Sequence, residues 1–249
     1  MKIRTVSSLA LIPLVLASQA AFAQSYAYVP NSNNDTVSVV DLANNTLVGT
    51  IAVGDNPIGV AIDPRGGRAY VANQSSATLS IIDGATLSEV AQIGVSAVPA
   101  AVAVSPDGDL VYVASYSTDK INVVDPWSRE VVATLPAGDG PKGIAVTPDG
   151  SRLYVGNFMS DTVSVVDLGT GTLVDSIAVG DGPVGVAMDP SGTRLFVANG
   201  NAGTISVIDV QTHAVIATRV AGPSPYDAVV SPDGRRAYVS NFGTSSQSV

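Results

Sequence analysis

Cysteine is absent from this 249-residue chain, histidine and tryptophan occur once each, and the only glutamates are Glu89 and Glu130. Each scarcity closes a class of explanation. With no cysteine, a disulfide framework and a lipid-modified cysteine anchor are both excluded, so an exported chain must be held together by packing alone. The single histidine, His213, removes paired-histidine ligation of zinc or haem iron and leaves no Ser, His and Asp set to converge. Positive charge is scarce too: twelve Lys and Arg stand against 21 Asp and Glu. That balance repels phosphate backbones and anionic lipid surfaces, so nucleic acid is not an expected partner.

Long apolar runs are confined to the start of the chain. Lys2 and Arg4 precede an apolar stretch from about Leu9 to Ala17, and Ala21-Phe22-Ala23 has the small-residue pattern of a cleavage site. Residues 1–23 therefore read as a secretory signal peptide, because the apolar run falls short of the roughly 20 residues a bilayer crossing needs. No second such stretch follows. Membrane insertion is not expected, and residues 24–249 are expected in a bacterial periplasm or the medium. Loss of Lys2 and Arg4 takes the formal charge from −9 to −11.

What the chain does contain is self-similarity with a period of 42 residues. Tyr28, Tyr70, Tyr112, Tyr154, Phe196 and Tyr238 begin the blocks YVPN, YVAN, YVAS, YVGN, FVAN and YVSN. Asp41, Asp83, Asp125, Asp167 and Asp209 close runs such as TVSVVD, and two prolines per unit keep the same register. Repeat units start near 26, 69, 111, 153 and 195, with a partial unit from 237. Each unit holds four short runs rich in Val, Ile, Ala and Tyr, separated by turn residues, which is the pattern of consecutive antiparallel strands, here A to D. SPDG at 105 and 231 and TPDG at 147 suit a type I turn between A and B, with an acceptor first, proline second and glycine fourth. No stretch shows helical periodicity with caps at both ends, so the fold class is all-β. Four strands in a unit of this length make one propeller blade. Along strand A, Gly59 and Ala61, Ala101 and Ala103, Gly143 and Ala145, and Gly185 and Ala187 keep one face small, as the narrow inner end of a blade requires.

The blocks YVAN, SVVD, GDGP and SPDG resemble the YVTN-type β-propeller repeat of secreted and surface-layer proteins, over residues 26–249. The resemblance implies a propeller of about seven blades. Related propellers include lactonases, a lyase acting on a cyclic antibiotic, and partners of quinone- or haem-associated dehydrogenases, so the resemblance is specific for fold and not for activity. About five blades are present, reading BCD, four full ABCD units, then A, B and a broken C. Either the last strand A completes the first blade and closes a five-bladed ring, or the repeats form an open arc of a larger propeller cut short; the well-formed strand B at 237–241 favours the arc.

In a propeller the D-to-A and B-to-C loops share one face, where ligands bind at the axial mouth. Asp55, Asp139 and Asp181 lie in those loops. They could ring a cation such as calcium, or serve only as turn residues before Asn-Pro and Gly-Pro. The asparagines ending strand B, Asn31, Asn73, Asn157, Asn199 and Asn241, are expected to bond their own turn backbone. The repeat breaks at PYDAVV, which puts Tyr226 and Asp227 near the axis, and Lys142 occupies the position equivalent to Tyr226; these three are the candidate ligand-binding residues. His213 and Trp127 fall in C-to-D turns on the outer rim, the first expected to be solvated and the second a candidate partner anchor. A lactonase would imply an acidic metal cluster at the axis, usually with glutamate, whereas Glu89 and Glu130 start outer strands. No catalytic residue is assigned, and no cofactor is expected apart from the calcium alternative. The leading expectation is a non-catalytic scaffold binding a protein or cell-surface component; the alternatives are a lactonase-type hydrolase or lyase with its decisive residues elsewhere, and a structural module of a surface layer.

Overall fold

A computed structural model describes residues 26–242, all of it strands and the turns between them. The signal peptide expected at 1–23 lies outside the described residues. No helix among the described residues is long and apolar enough to cross a membrane. The first sheet holds β1 (Tyr26–Asn31), β2 (Thr36–Asp41) and β3 (Thr46–Ala52). Four complete blades follow. They are β4 (Pro57–Ile62), β5 (Arg68–Asn73), β6 (Thr78–Asp83) and β7 (Ser88–Gly94); then β8 (Pro99–Val104), β9 (Val111–Ser115), β10 (Lys120–Asp125) and β11 (Glu130–Pro136). Next come β12 (Pro141–Val146), β13 (Arg152–Asn157), β14 (Thr162–Asp167) and β15 (Thr172–Ala178), then β16 (Pro183–Met188), β17 (Arg194–Asn199), β18 (Thr204–Asp209) and β19 (Val215–Val220). The sixth sheet has only β20 (Pro225–Val230) and β21 (Ala237–Asn241). Within every sheet the strands pair antiparallel in sequence order, so the chain meanders outward from an inner strand A to an outer strand D.

Alternation along strand B explains how the blades stack. Ala69 and Val71 face the first sheet, packing with Val37, Val39 and Ile51, while Tyr70 between them faces the third blade with Val111 and Val113. The same division recurs where Leu153 and Val155 pack on Ile121 and Leu135 of the third blade, and Tyr154 packs on Leu195 and Val197 of the fifth. Each fully buried Val, Leu or Ile side chain stabilises by about 1.5–3 kcal/mol, and each interface buries several. A blade alone would expose both faces, so stability resides in the stacking.

Glycine on strand A lets the inner strands approach. A Cβ at Gly143 would run into the Val184 carbonyl oxygen of the next blade, and one at Gly185 would lie 2.6 Å from the Asp227 Cα. The repeated Asp at the end of strand C is a turn device. Asp41, Asp125 and Asp209 accept the N–H of Ala43, Trp127 and Thr212 at 2.8 Å, which holds their carboxyls below the usual range.

The blades form an arc that does not close. β20 pairs with β21 and not with β1, so the last strand A does not complete the first blade, and the five-bladed ring is not formed. The end blade bears the mark of this. Tyr154 is fully buried, whereas Tyr238 at the equivalent position is 54% exposed.

Candidate functional site

Five inner strands, β4, β8, β12, β16 and β20, line an axial cavity of about 840 Å³. The D-to-A and B-to-C loops meet at its mouth, as expected: the Asn56 and Asp55 carbonyls accept the N–H groups of Gln74 and Ser75, and Gly140 and Asp139 repeat this with Phe158 and Met159. The second residue of each strand A faces the cavity, giving in turn Ile58, Ala100, Lys142, Val184 and Tyr226. The residue just after strand B crowns the mouth, giving Gln74, Tyr116, Phe158, Gly200 and Phe242.

Lys142, Tyr226 and Asp227 all line this one cavity. The Lys142 ammonium sits 3.7 Å from the Phe158 ring centroid and 5.4 Å from that of Tyr116, so aromatic faces stabilise its charge in part. Burial lowers its pKa from the ordinary lysine value. Among the described residues no carboxylate comes within ion-pair distance of it. Tyr226 packs against Phe242 with ring centroids 5.8 Å apart. Asp227 accepts the N–H of Ala228 at 2.9 Å, and desolvation by the surrounding protein raises its carboxyl above the usual range although the side chain opens to the cavity. It too lacks a cationic partner among the described residues. The aromatic crown over Lys142 escaped sequence reasoning; the signal was the series Gln74, Tyr116, Phe158, Gly200, Phe242, one step past the repeated strand-B block.

Asp55, Asp139 and Asp181 lie in these loops but are not gathered. Their carbonyls tie each D-to-A loop to the B-to-C loop of its own blade, and the Asp181 carboxylate accepts the Asn201 amide at 3.0 Å. Among the described residues no group of three His, Asp or Glu side chains is placed to hold a metal ion.

Two readings of single residues need correction. The strand-B asparagines bond not their own turn backbone but two hydroxyls across the turn: the Asn157 amide donates to Thr162 at 3.0 Å and to Ser164 at 2.9 Å, and Asn73 and Asn199 do the same in their blades. The third blade exchanges the pair. Ser115 stands for the asparagine and Asn122 for the serine, joined at 2.9 Å, while Ser96 replaces the usual glycine and donates to the Asn122 carbonyl at 3.0 Å. His213 is not a solvated turn residue. Its ring is 16% exposed, held between Asp175 at 2.6 Å and Arg152 at 2.8 Å, and stands edge-on to Tyr154. The guanidinium can only donate, so Nε2 accepts from Arg152 and Nδ1–H donates to Asp175, and the ring bridges two blades. Trp127 lies in an outer turn as expected and is 55% exposed, with the Arg68 guanidinium of the preceding blade 3.8 Å from its ring centroid and donating to the Pro126 carbonyl at 3.1 Å.

Comparison with known proteins agrees with this architecture. The family model described as "Lactonase, 7-bladed beta-propeller" matches residues 128–214, the span of two repeats. Among solved structures, a functionally unknown protein from Desulfotomaculum acetoxidans DSM 771 superposes with a TM-score of 0.78 at 19% identity, covering 87% of this chain and 72% of that one. Kuenenia stuttgartiensis hydrazine synthase superposes with a TM-score of 0.65 at 21% identity, covering 88% of this chain and 90% of that chain. No curated protein matches. At these identities the likeness defines the class, a β-propeller of four-stranded antiparallel blades, and leaves the chemistry to the site itself.

Proposed function

We propose that this chain is an exported β-propeller of the YVTN type that acts as a binding scaffold, engaging a protein or cell-surface component through the loop face around its axial cavity. One observation carries the proposal. The cavity presents an amine from β12 and a carboxyl and a phenol from β20, with apolar walls between them, which is the makeup of a recognition pocket. The stack of blades fixes these groups on paired strands. Specificity would come from the few residues that break the repeat.

A second reading, prompted by the partial family match, is a hydrolase or lyase of lactonase type. The two are separated by measuring ligand-induced rises in Tm across a library of peptides, saccharides and lactones while following lactone opening in parallel. Stabilisation without turnover is expected, since a ligand at a hundred times its Kd adds about 2.7 kcal/mol to the folded state. Turnover of a lactone that disappears in Asp227→Asn would overturn the scaffold and establish the enzyme.

A further inference from the structure

The charges in the cavity are arranged as a pair with a gap between them. Lys142 comes from β12 and Asp227 from β20, and between them runs β16, which contributes Val184 and Gly185. Above that strand the crown is interrupted: Gly200 occupies the place held by Phe158 in the preceding blade and Phe242 in the following one. The cation and the anion thus stand on either side of β16, the Asp227 carboxylate lying close to Gly185, and neither has an ion-pair partner among the described residues. Lys142 is half-buried and Asp227 exposed, so both open to the cavity with no countercharge supplied by the fold.

Resting on the scaffold reading above, we infer that the cavity takes a zwitterionic ligand of the amino-acid or short-peptide class, its carboxylate on Lys142 and its ammonium on Asp227, with its backbone lying over β16. A ligand of that kind supplies a countercharge to both groups at once. A purely anionic ligand leaves Asp227 unpaired and repelled, and a purely cationic one does the same to Lys142. The Tyr116 ring, which lines the cavity beside Lys142, adds an apolar wall suited to a side chain next to the ligand carboxylate. The cavity volume, about 840 Å³, lies within the range of small-ligand sites and admits a dipeptide.

The probe is glycyl-phenylalanine, compared by calorimetry with its N-acetyl and C-amide forms on the full chain. The free dipeptide should bind at least tenfold more tightly than either capped form. Lys142→Met should abolish discrimination against the amide and leave that against the acetyl form; Asp227→Asn should do the converse. Capped forms that bind as tightly as the free dipeptide overturn the inference. So does an absence of dipeptide binding at millimolar concentration while other library compounds still raise the Tm, an outcome that spares the scaffold reading. Because the capped ligands are tested on the unmodified protein, poor folding of either variant does not blunt the result.

Discussion

Two breaks of the repeat by charged or polar residues, the outer rim around His213 and the axial mouth around Lys142 and Asp227, end differently. At the rim every departing group is answered by another. Asp175 stands where the other blades have Gly49, Ala91, Ala133 and Ala217, and it meets His213 at 2.6 Å, with Arg152 closing the chain on the far side of the ring. At the mouth the departing groups find no such answer within the described residues. A break in a repeat is therefore structural when its hydrogen-bonding and charge requirements are met inside the fold, and a candidate for recognition when they are left open to a cavity.

The largest effect expected of any change bearing on this contrast is at the inner strands that frame the mouth. Gly143→Ala drives a methyl group into the backbone of the neighbouring blade, where no side chain can swing aside. It should cost about 3 kcal/mol or abolish folding, read as a fall in denaturant midpoint. Retention of wild-type stability would show that the blades are not seated as closely as described.

A smaller effect, and a reversible one, is expected in the fourth blade. Asn157→Ser removes the amide that serves the Thr162 and Ser164 hydroxyls and should destabilise by about 1–3 kcal/mol. Gly138→Ser alone should also be costly, because its Cβ would come within 2.6 Å of the Asn157 amide. Combining Gly138→Ser, Asn157→Ser and Ser164→Asn rebuilds the arrangement of the third blade, and stability should return to within about 1 kcal/mol of the parent. Additive losses in the triple variant would refute the idea that the third blade carries a compensated exchange.

The two breaks can then be set against each other directly. His213→Ala should cost about 1–2 kcal/mol through lost hydrogen bonds and packing on Tyr154, while Lys142→Met should change stability by less than about 0.5 kcal/mol. His213→Gly should be milder than the alanine variant, since residue 213 has φ 57°, which glycine adopts without strain. The rim should also be acid-sensitive. Its hydrogen bond from His213 holds the Asp175 carboxyl below the usual range, so the contribution is present above the ordinary carboxylate pKa and disappears as pH falls through the lowered folded value. The acid limb of the stability profile should lose that contribution in His213→Ala and keep it in Lys142→Met. Equal losses from the two substitutions would erase the distinction between rim and mouth.

Much of the fold was legible from the chain because a period of 42 residues states blade number, strand order and turn chemistry again in each unit. The strand-A glycines and alanines announced the narrow inner edge, and PYDAVV announced the mouth, for the same reason: a departure is visible only against a regular background. His213 was taken for a solvated residue because its partner Arg152 lies in the preceding blade, 61 positions upstream, where no local pattern connects them. The strand-B asparagines were assigned a local bond because a turn offers one, whereas strand pairing sets Asn157 opposite Thr162 and leaves Ser164 within reach.

By itself the amino-acid sequence determined that this protein is all-β, that it repeats, and which positions face inward, since alternation and turn propensity act over a few residues and need no knowledge of distant contacts. Tertiary structure decided which unusual residues are satisfied and which are left open: His213 becomes a buried bridge and Lys142 an unpaired cation because stacking one blade on the next brings partners to the first and apolar walls to the second. Whether the arc closes was likewise decided there, by β20 taking β21 as its partner and leaving β1 unpaired on that side, a choice made by packing between strands that lie far apart in the chain.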